Sequence, residues 1–267
     1  MEKEEFAKIA EGLYEEALDA ASYYSILIQL RDVTHKYNNE VNLSPAFYSI
    51  VAQALWESCV MKIAKLYETD SKLPGINFAL HTCLNNLDWF SEQQQGFHRY
   101  RLSSIEECFF QEEIKHQKAQ QKEFNITNEL PFIVELTLKD QLELFTKLFS
   151  SLRKVFTNIR IQRNKIYAHN DMQRFLDIDS VIDHNPVSFQ DMNTLISFAQ
   201  KVLSLIVELL TLVVKPDSYI NIDDLNTTLE LARLGLKYRE SNPADILLEC
   251  IENLKKQIEG EDDGELQ

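Results

Sequence analysis

Residues 160–171 read Arg-Ile-Gln-Arg-Asn-Lys-Ile-Tyr-Ala-His-Asn-Asp, with Arg163 followed at once by Asn164 and His169 six positions after the arginine. A guanidinium keeps its charge at any physiological pH and can hold a phosphate through two parallel hydrogen bonds. An imidazole titrates near neutrality and can take or give a proton. Phosphodiester chemistry on RNA needs both services. Asn164 stands where it can orient the group or contact the phosphate. Arg160 and Lys165 add positive charge, and Asn170 shares the face of Arg163 on a helix. Tyr167 offers a ring on which a base can stack, or one that packs a core.

The element that must position these residues is a helix. Apolar residues recur at Leu142, Phe145, Leu148, Leu152, Val155, Phe156, Ile159 and Ile166. This three-and-four spacing belongs to a helix with one buried face. Position 163 should continue the stripe, one turn after Ile159, yet it holds Arg163. A charge on that line needs a partner or a polar cavity, or sits on the rim and snorkels to water. Arg163 and His169 lie ~120° apart around an ideal helix and ~9 Å along it. One unbroken helix does not aim both at one atom. Either the helix ends or bends around residues 168–171, or the site combines residues from two copies.

Arg-Asn-x4-His at the end of a bundle helix resembles the signature of the HEPN superfamily (higher eukaryote and prokaryote nucleotide-binding domains). The motif there is arginine, a polar residue, then histidine after four to six positions. The fuller phrase Arg-Asn-Lys-Ile-Tyr-Ala-His-Asn-Asp is most similar to the AbiU-type abortive-infection branch, and the likeness extends over about residues 40–215. The resemblance implies a HEPN-like helical bundle acting as a homodimer, with two motifs facing across a cleft. It implies a metal-independent endoribonuclease in a toxin or phage-defence setting, and a neutralising partner protein. His169 would then deprotonate or orient the 2′-hydroxyl, Arg163 stabilise charge on the phosphate, and Asn164 position the group. Arg160, Lys165, Tyr167 and Asn170 would contact RNA. Some relatives bind nucleotides or RNA without cutting. HEPN toxins silenced by a nucleotidyltransferase carry a tyrosine two positions after the histidine, where this chain has Asp171.

Net charge is −15, from 42 acidic against 27 basic residues, which argues against generic coating of nucleic acid. The charge is unevenly spread. Residues 139–174 hold eight basic residues against three acidic ones, leaving 19 against 39 elsewhere. The motif helix is thus a basic strip on an acidic body, the local field a phosphate ligand wants, although helix C-terminal halves collect cations in any case. Cys59, Cys83, Cys108 and Cys250 form no Cys-x-x-Cys pair, so neither a zinc site nor a disulfide framework is indicated. Such thiols fit a reducing cytoplasm. His81 with Cys83, and His98, have no metal-ligand companions at useful spacing. No cofactor pattern is present: there is no Gly-rich phosphate loop and no nucleophilic serine motif. The apolar window 195–214 is interrupted by Gln200, Lys201 and Glu208, which favours a buried helix over a membrane span.

Six glycines and six prolines in 267 residues favour long helices. The expected architecture is all-α, a bundle without a sheet: helices over about residues 3–37, 44–69, 77–92 and 103–124, then the motif helix. Residues 177–187 read as a loop, after which Ser188 caps a helix with Asp191 three residues on. The expected domains are a bundle at 1–215, a helical appendage at 216–258 and a disordered acidic tail at 259–267. His98-Arg99-Tyr100-Arg101 reads as a polar interhelix loop, although its aromatic and basic mix could touch RNA. His184 could supply a second proton-transfer group, but only a fold could bring it near the motif. The residues thus support an endoribonuclease first. Alternatives are a non-cutting RNA or nucleotide module, or a structural helical partner in which Arg163 and His169 satisfy buried polar groups.

Overall fold

The computed structural model describes residues 1–123, 131–168, 177–216 and 224–241, with 218, 219, 222, 244, 248 and 251 singly. His169, Asn170 and Asp171 lie outside the described residues. Among the described residues the chain forms eleven α-helices and two short strands, an all-α architecture. In order these are α1 (Lys3–Lys36), α2 (Asn38–Val41), α3 (Pro45–Leu66), α4 (Ile76–Asn85), α5 (Glu92–Gln95), β1 (Phe97–Arg101) and α6 (Gln111–Glu123). There follow β2 (Ile133–Thr137), α7 (Leu138–Ser151), α8 (Arg153–Gln162), a π-helical turn (Arg163–Ala168), α9 (Ile178–His184), α10 (Phe189–Thr211) and α11 (Asp224–Ser241).

Two compact units share these elements. The first comprises Met1–Tyr24 and Trp56–Tyr219. In its core, α4 lies against α7 and α10. Tyr67, fully buried just beyond α3, organises the aromatic centre. Its ring stacks on Phe149 of α7 at 5.7 Å and meets Phe156 of α8 at 5.3 Å and Phe198 of α10 at 6.4 Å. Its hydroxyl donates to the Leu195 carbonyl at 2.7 Å, so the one polar atom of a buried ring is satisfied. Phe156 and Ile159 enter the same core, and this fixes which way α8 faces. α10 is long and apolar enough to cross a membrane by length and composition. Its Leu195, Phe198, Val202 and Ile206 are buried in this core.

The second unit comprises Ser25–Leu55 and the described part of Ile220–Gln267. Val33, Tyr37 and Leu229 form its small buried cluster. Arg233 fastens α11 there: its Nε donates to Glu40 at 2.8 Å, one Nη to the Lys36 carbonyl at 2.6 Å, and its guanidinium lies 4.3 Å from the Tyr37 ring centre.

The structure corrects four expectations. The bundle does contain a sheet: β1 and β2 pair antiparallel, with Tyr100 opposite Val134. Residues 98–101 are therefore a strand rather than a loop, and Tyr100 and Val134 are its buried rungs. The expected helix at 103–124 begins only at Gln111, after a turn tied by Ser103 to Glu106. The motif helix is not continuous but breaks at Leu152. Thr146, Ser150 and Ser151 each hydrogen-bond back to a carbonyl one turn earlier, which loosens the backbone ladder just before the break. Finally, the segment read as a loop contains α9, started by Asp177, whose carboxylate accepts from the Ser180 N–H at 3.0 Å. The capping box of Ser188 and Asp191 stands as expected.

Candidate functional site

α8 is amphipathic and its inner face is set by Phe156, Ile159 and Gln162, all buried. Gln162, not Arg163, takes the next place on the seam, and Ile166 follows it. The Gln162 amide is buried at no loss because its Nε2 donates to the Asn185 carbonyl at 2.7 Å. One turn earlier, Asn158 donates to the Pro186 carbonyl at 2.9 Å. These two amides clamp the chain leaving α9 onto the motif helix. Neither was singled out from sequence, since an amide on a helix has no distinctive spacing.

At Arg163 the backbone pitch changes to a π-helical turn that runs to Ala168. Such turns insert a residue into the helical ladder and recur at functional sites. Ideal α-helix angles consequently do not apply between Arg163 and the residues beyond it. The turn keeps Ile166 buried and Tyr167 packed against the main core. Arg163 is left half-buried beside the seam and Asn164 exposed. One Nη of Arg163 donates to Asn164 Oδ1 at 2.9 Å, so the adjacent Arg and Asn act as one unit. Arg163 Nε is closed off from solvent and has no hydrogen-bond partner among the described residues. An unpaired buried donor costs ~1–3 kcal/mol.

Lys165 points from the same turn to an open cleft of about 460 Å³, whose other wall is α9 with His184. The fold therefore does bring His184 to a residue of the motif. Nδ1 of the His184 ring is hydrogen-bonded to the Ser180 carbonyl at 2.7 Å, a contact that requires the proton on Nδ1.

Residues 3–228 match the family of HEPN proteins described as AbiU2. The chain belongs to the AbiU2 family of HEPN proteins. No curated protein and no solved structure matches it.

In this AbiU2-family protein the other residues singled out from sequence separate into two groups. Arg160 is engaged: one Nη donates to Thr69 Oγ1 at 2.9 Å and the other pairs with Glu68 at 3.2 Å, fastening α8 to the chain beyond α3. Tyr167 packs inward, as the core alternative for that ring had it. Arg163, Asn164 and Lys165 share the π-helical turn. Burial pushes the Cys59 and Cys83 thiols up to about 12, so neither is poised as a nucleophile.

The AbiU2-family fold also holds a polar centre that sequence reasoning missed. The Glu106 carboxylate is fully buried. It accepts from Tyr100 Oη at 2.5 Å, from Ser103 N–H and Oγ at 2.7 Å each, and from Lys201 Nζ at 2.8 and 2.9 Å. Burial alone would raise its pKa, but the Lys201, Tyr100 and Ser103 contacts outweigh burial and hold it below the ordinary value. The centre ties the turn after β1 to α10.

Proposed function

We propose that this protein is an endoribonuclease that cleaves RNA by attack of the 2′-hydroxyl on the adjacent phosphorus. RNA carries its own nucleophile, so the protein need supply a proton acceptor, a cation for the phosphate and a hold on the strand. In this reading His169 takes the 2′-hydroxyl proton as the 2′-oxygen bonds to phosphorus. The bond to the 5′-oxygen breaks, that oxygen is protonated, and a 2′,3′-cyclic phosphate is left on the upstream strand. Arg163 stabilises the charge gathering on the phosphate, and Asn164 orients it. Lys165 and Asn170 line the route of the strand, whereas Arg160 and Tyr167 hold the helix that carries the site, and the working form is a homodimer in the cytoplasm, controlled by a partner protein.

The observation that carries the reading is the state of Arg163. Its half-buried guanidinium, with one terminal donor shared with the exposed Asn164, stands on a π-helical turn in a HEPN-family chain. Such a guanidinium can hold an anion oxygen through its terminal nitrogens.

The test sets pure wild type beside His169→Ala, at matched helicity, on a mixed RNA pool in excess chelator. General acid–base help is worth ~10²–10⁴-fold, so His169→Ala should cleave more slowly by about that factor. Wild-type products should end in cyclic phosphate, and a 2′-deoxy analogue should resist cutting. Light scattering should give a dimer at micromolar concentration. Equal cleavage by both proteins would place the activity elsewhere. RNA binding without cleavage would make the protein a binding module instead.

A further inference from the structure

The cleft between the π-helical turn and α9 has the features of a binding site in its own right. Its volume of about 460 Å³ falls within the range of small-ligand pockets. Its two walls are not free to drift apart, because Asn158 and Gln162 of α8 hold the carbonyls of Pro186 and Asn185 immediately after α9. Asn185 in turn donates to the Val181 carbonyl at 2.9 Å, closing the end of α9.

The chemistry of the lining is that of a nucleotide. Ile161 on one wall is the apolar surface against which a base can lie, with the buried Val181 backing the other. Lys165 supplies positive charge from the motif side. His184 is oriented from α9: Nδ1 is committed to the Ser180 carbonyl, and Nε2 carries no hydrogen bond among the described residues. That nitrogen accepts when the ring is neutral and donates to a phosphate oxygen when it is protonated. Asp177 has one oxygen committed to the start of α9, which leaves the other to accept from an exocyclic amine or a ribose hydroxyl. A bare phosphate would use only the cationic side of this cleft; a nucleotide uses all of it.

We propose that this cleft holds one nucleotide of single-stranded RNA adjoining the phosphate at Arg163, with His184 as a binding residue of that subsite. The assignment rests on the ribonuclease reading for its RNA substrate, and its test separates the two. The probes are a short 2′-O-methyl RNA, which binds but lacks the nucleophile, and its cleavable counterpart. His184→Ala should weaken binding of the 2′-O-methyl strand about tenfold, the loss of one charge-assisted hydrogen bond, and raise KM by the same factor with kcat unchanged. His184→Gln, which keeps a donor near Nε2, should recover most of that loss. In the unaltered protein, 4-thiouridine next to the cut site should crosslink to residues 177–185, a readout that survives even if a variant misfolds. Wild type that cleaves while the His184 variants bind as it does, or crosslinks that avoid 177–185, would overturn the subsite and leave the ribonuclease reading standing. A fall in kcat with KM unchanged would overturn it too, by making His184 part of the chemistry. Wild type that binds without cutting, with the His184 dependence intact, would sink the ribonuclease reading and keep the subsite. Absence of RNA binding by wild type would sink both.

Discussion

Glu106 and Arg163 are ionised side chains of the same compact unit, and the fold treats them in opposite ways. Glu106 is fully buried, and both its oxygens are saturated by Tyr100, Ser103 and Lys201. Arg163 is half-buried, has Asn164 on one Nη, and keeps Nε without a partner among the described residues. A saturated buried charge is a fastener: all of its capacity is spent inside the protein. A half-buried arginine beside the exposed Asn164 can offer its terminal nitrogens to a ligand. Burial alone would have ranked Glu106 first as a candidate site, whereas hydrogen-bond accounting makes it a structural group.

The sharpest way to break this comparison is on activity at Arg163. Arg163→Lys keeps the charge and loses the planar fork, so RNA cleavage should fall by about 10²–10³-fold, the cost of one oxyanion donor. Thermal unfolding should scarcely move, since no partner in the described structure except Asn164 loses a bond. An Arg163→Lys protein that cleaves normally, or one that unfolds far earlier, would make Arg163 a fastener like Glu106.

The next effect is on stability at the other pole. Glu106→Ala leaves Lys201 and Tyr100 without their shared acceptor and should destabilise by ~3 kcal/mol, the low end for breaking a buried pair because Lys201 is a third exposed. Denaturant melts of the two proteins measure it. The residual fold of Glu106→Ala should keep its RNA cleavage at temperatures where it stays folded. An unchanged denaturation midpoint would show that the cluster does not fasten the turn to α10.

The smallest effect is a pH dependence to which Glu106, unlike Arg163, should contribute. Its folded pKa lies below the ordinary value of 4.5. A depressed carboxyl adds stability that is fully present above the unfolded pKa and lost as pH falls through the folded one. Wild type should therefore lose Tm below roughly pH 4.5, and Glu106→Gln should show a shallower acid slope. Parallel slopes for the two proteins would remove Glu106 from the acid response.

The sequence by itself determined most of the helices. α7, α8 and α10 carry an apolar period that repeats over successive turns, and Ser188 with Asp191 marks the start of α10 by a local rule. It also singled out Arg163, Asn164 and Lys165, which are close in the chain and share one turn of the structure. What it missed was decided by partners distant in sequence. β1 and β2 are strands only because Tyr100 finds Val134 and both rungs reach the core. The α8 seam passes through Gln162 because the Asn185 carbonyl is there to receive its amide. Lys165 meets His184 in one cleft, and Glu106 meets Lys201 across 95 residues. Periodicity reports which face of a helix is apolar; it holds no record of which carbonyl, charge or ring a polar side chain will meet when the helices close on one another. The pitch of the backbone at Arg163 belongs to the same class. A π-helical turn is an adjustment of the chain that lets Ile166 and Tyr167 stay packed while Arg163 stays half-buried and Asn164 exposed, and only the packed core sets that demand.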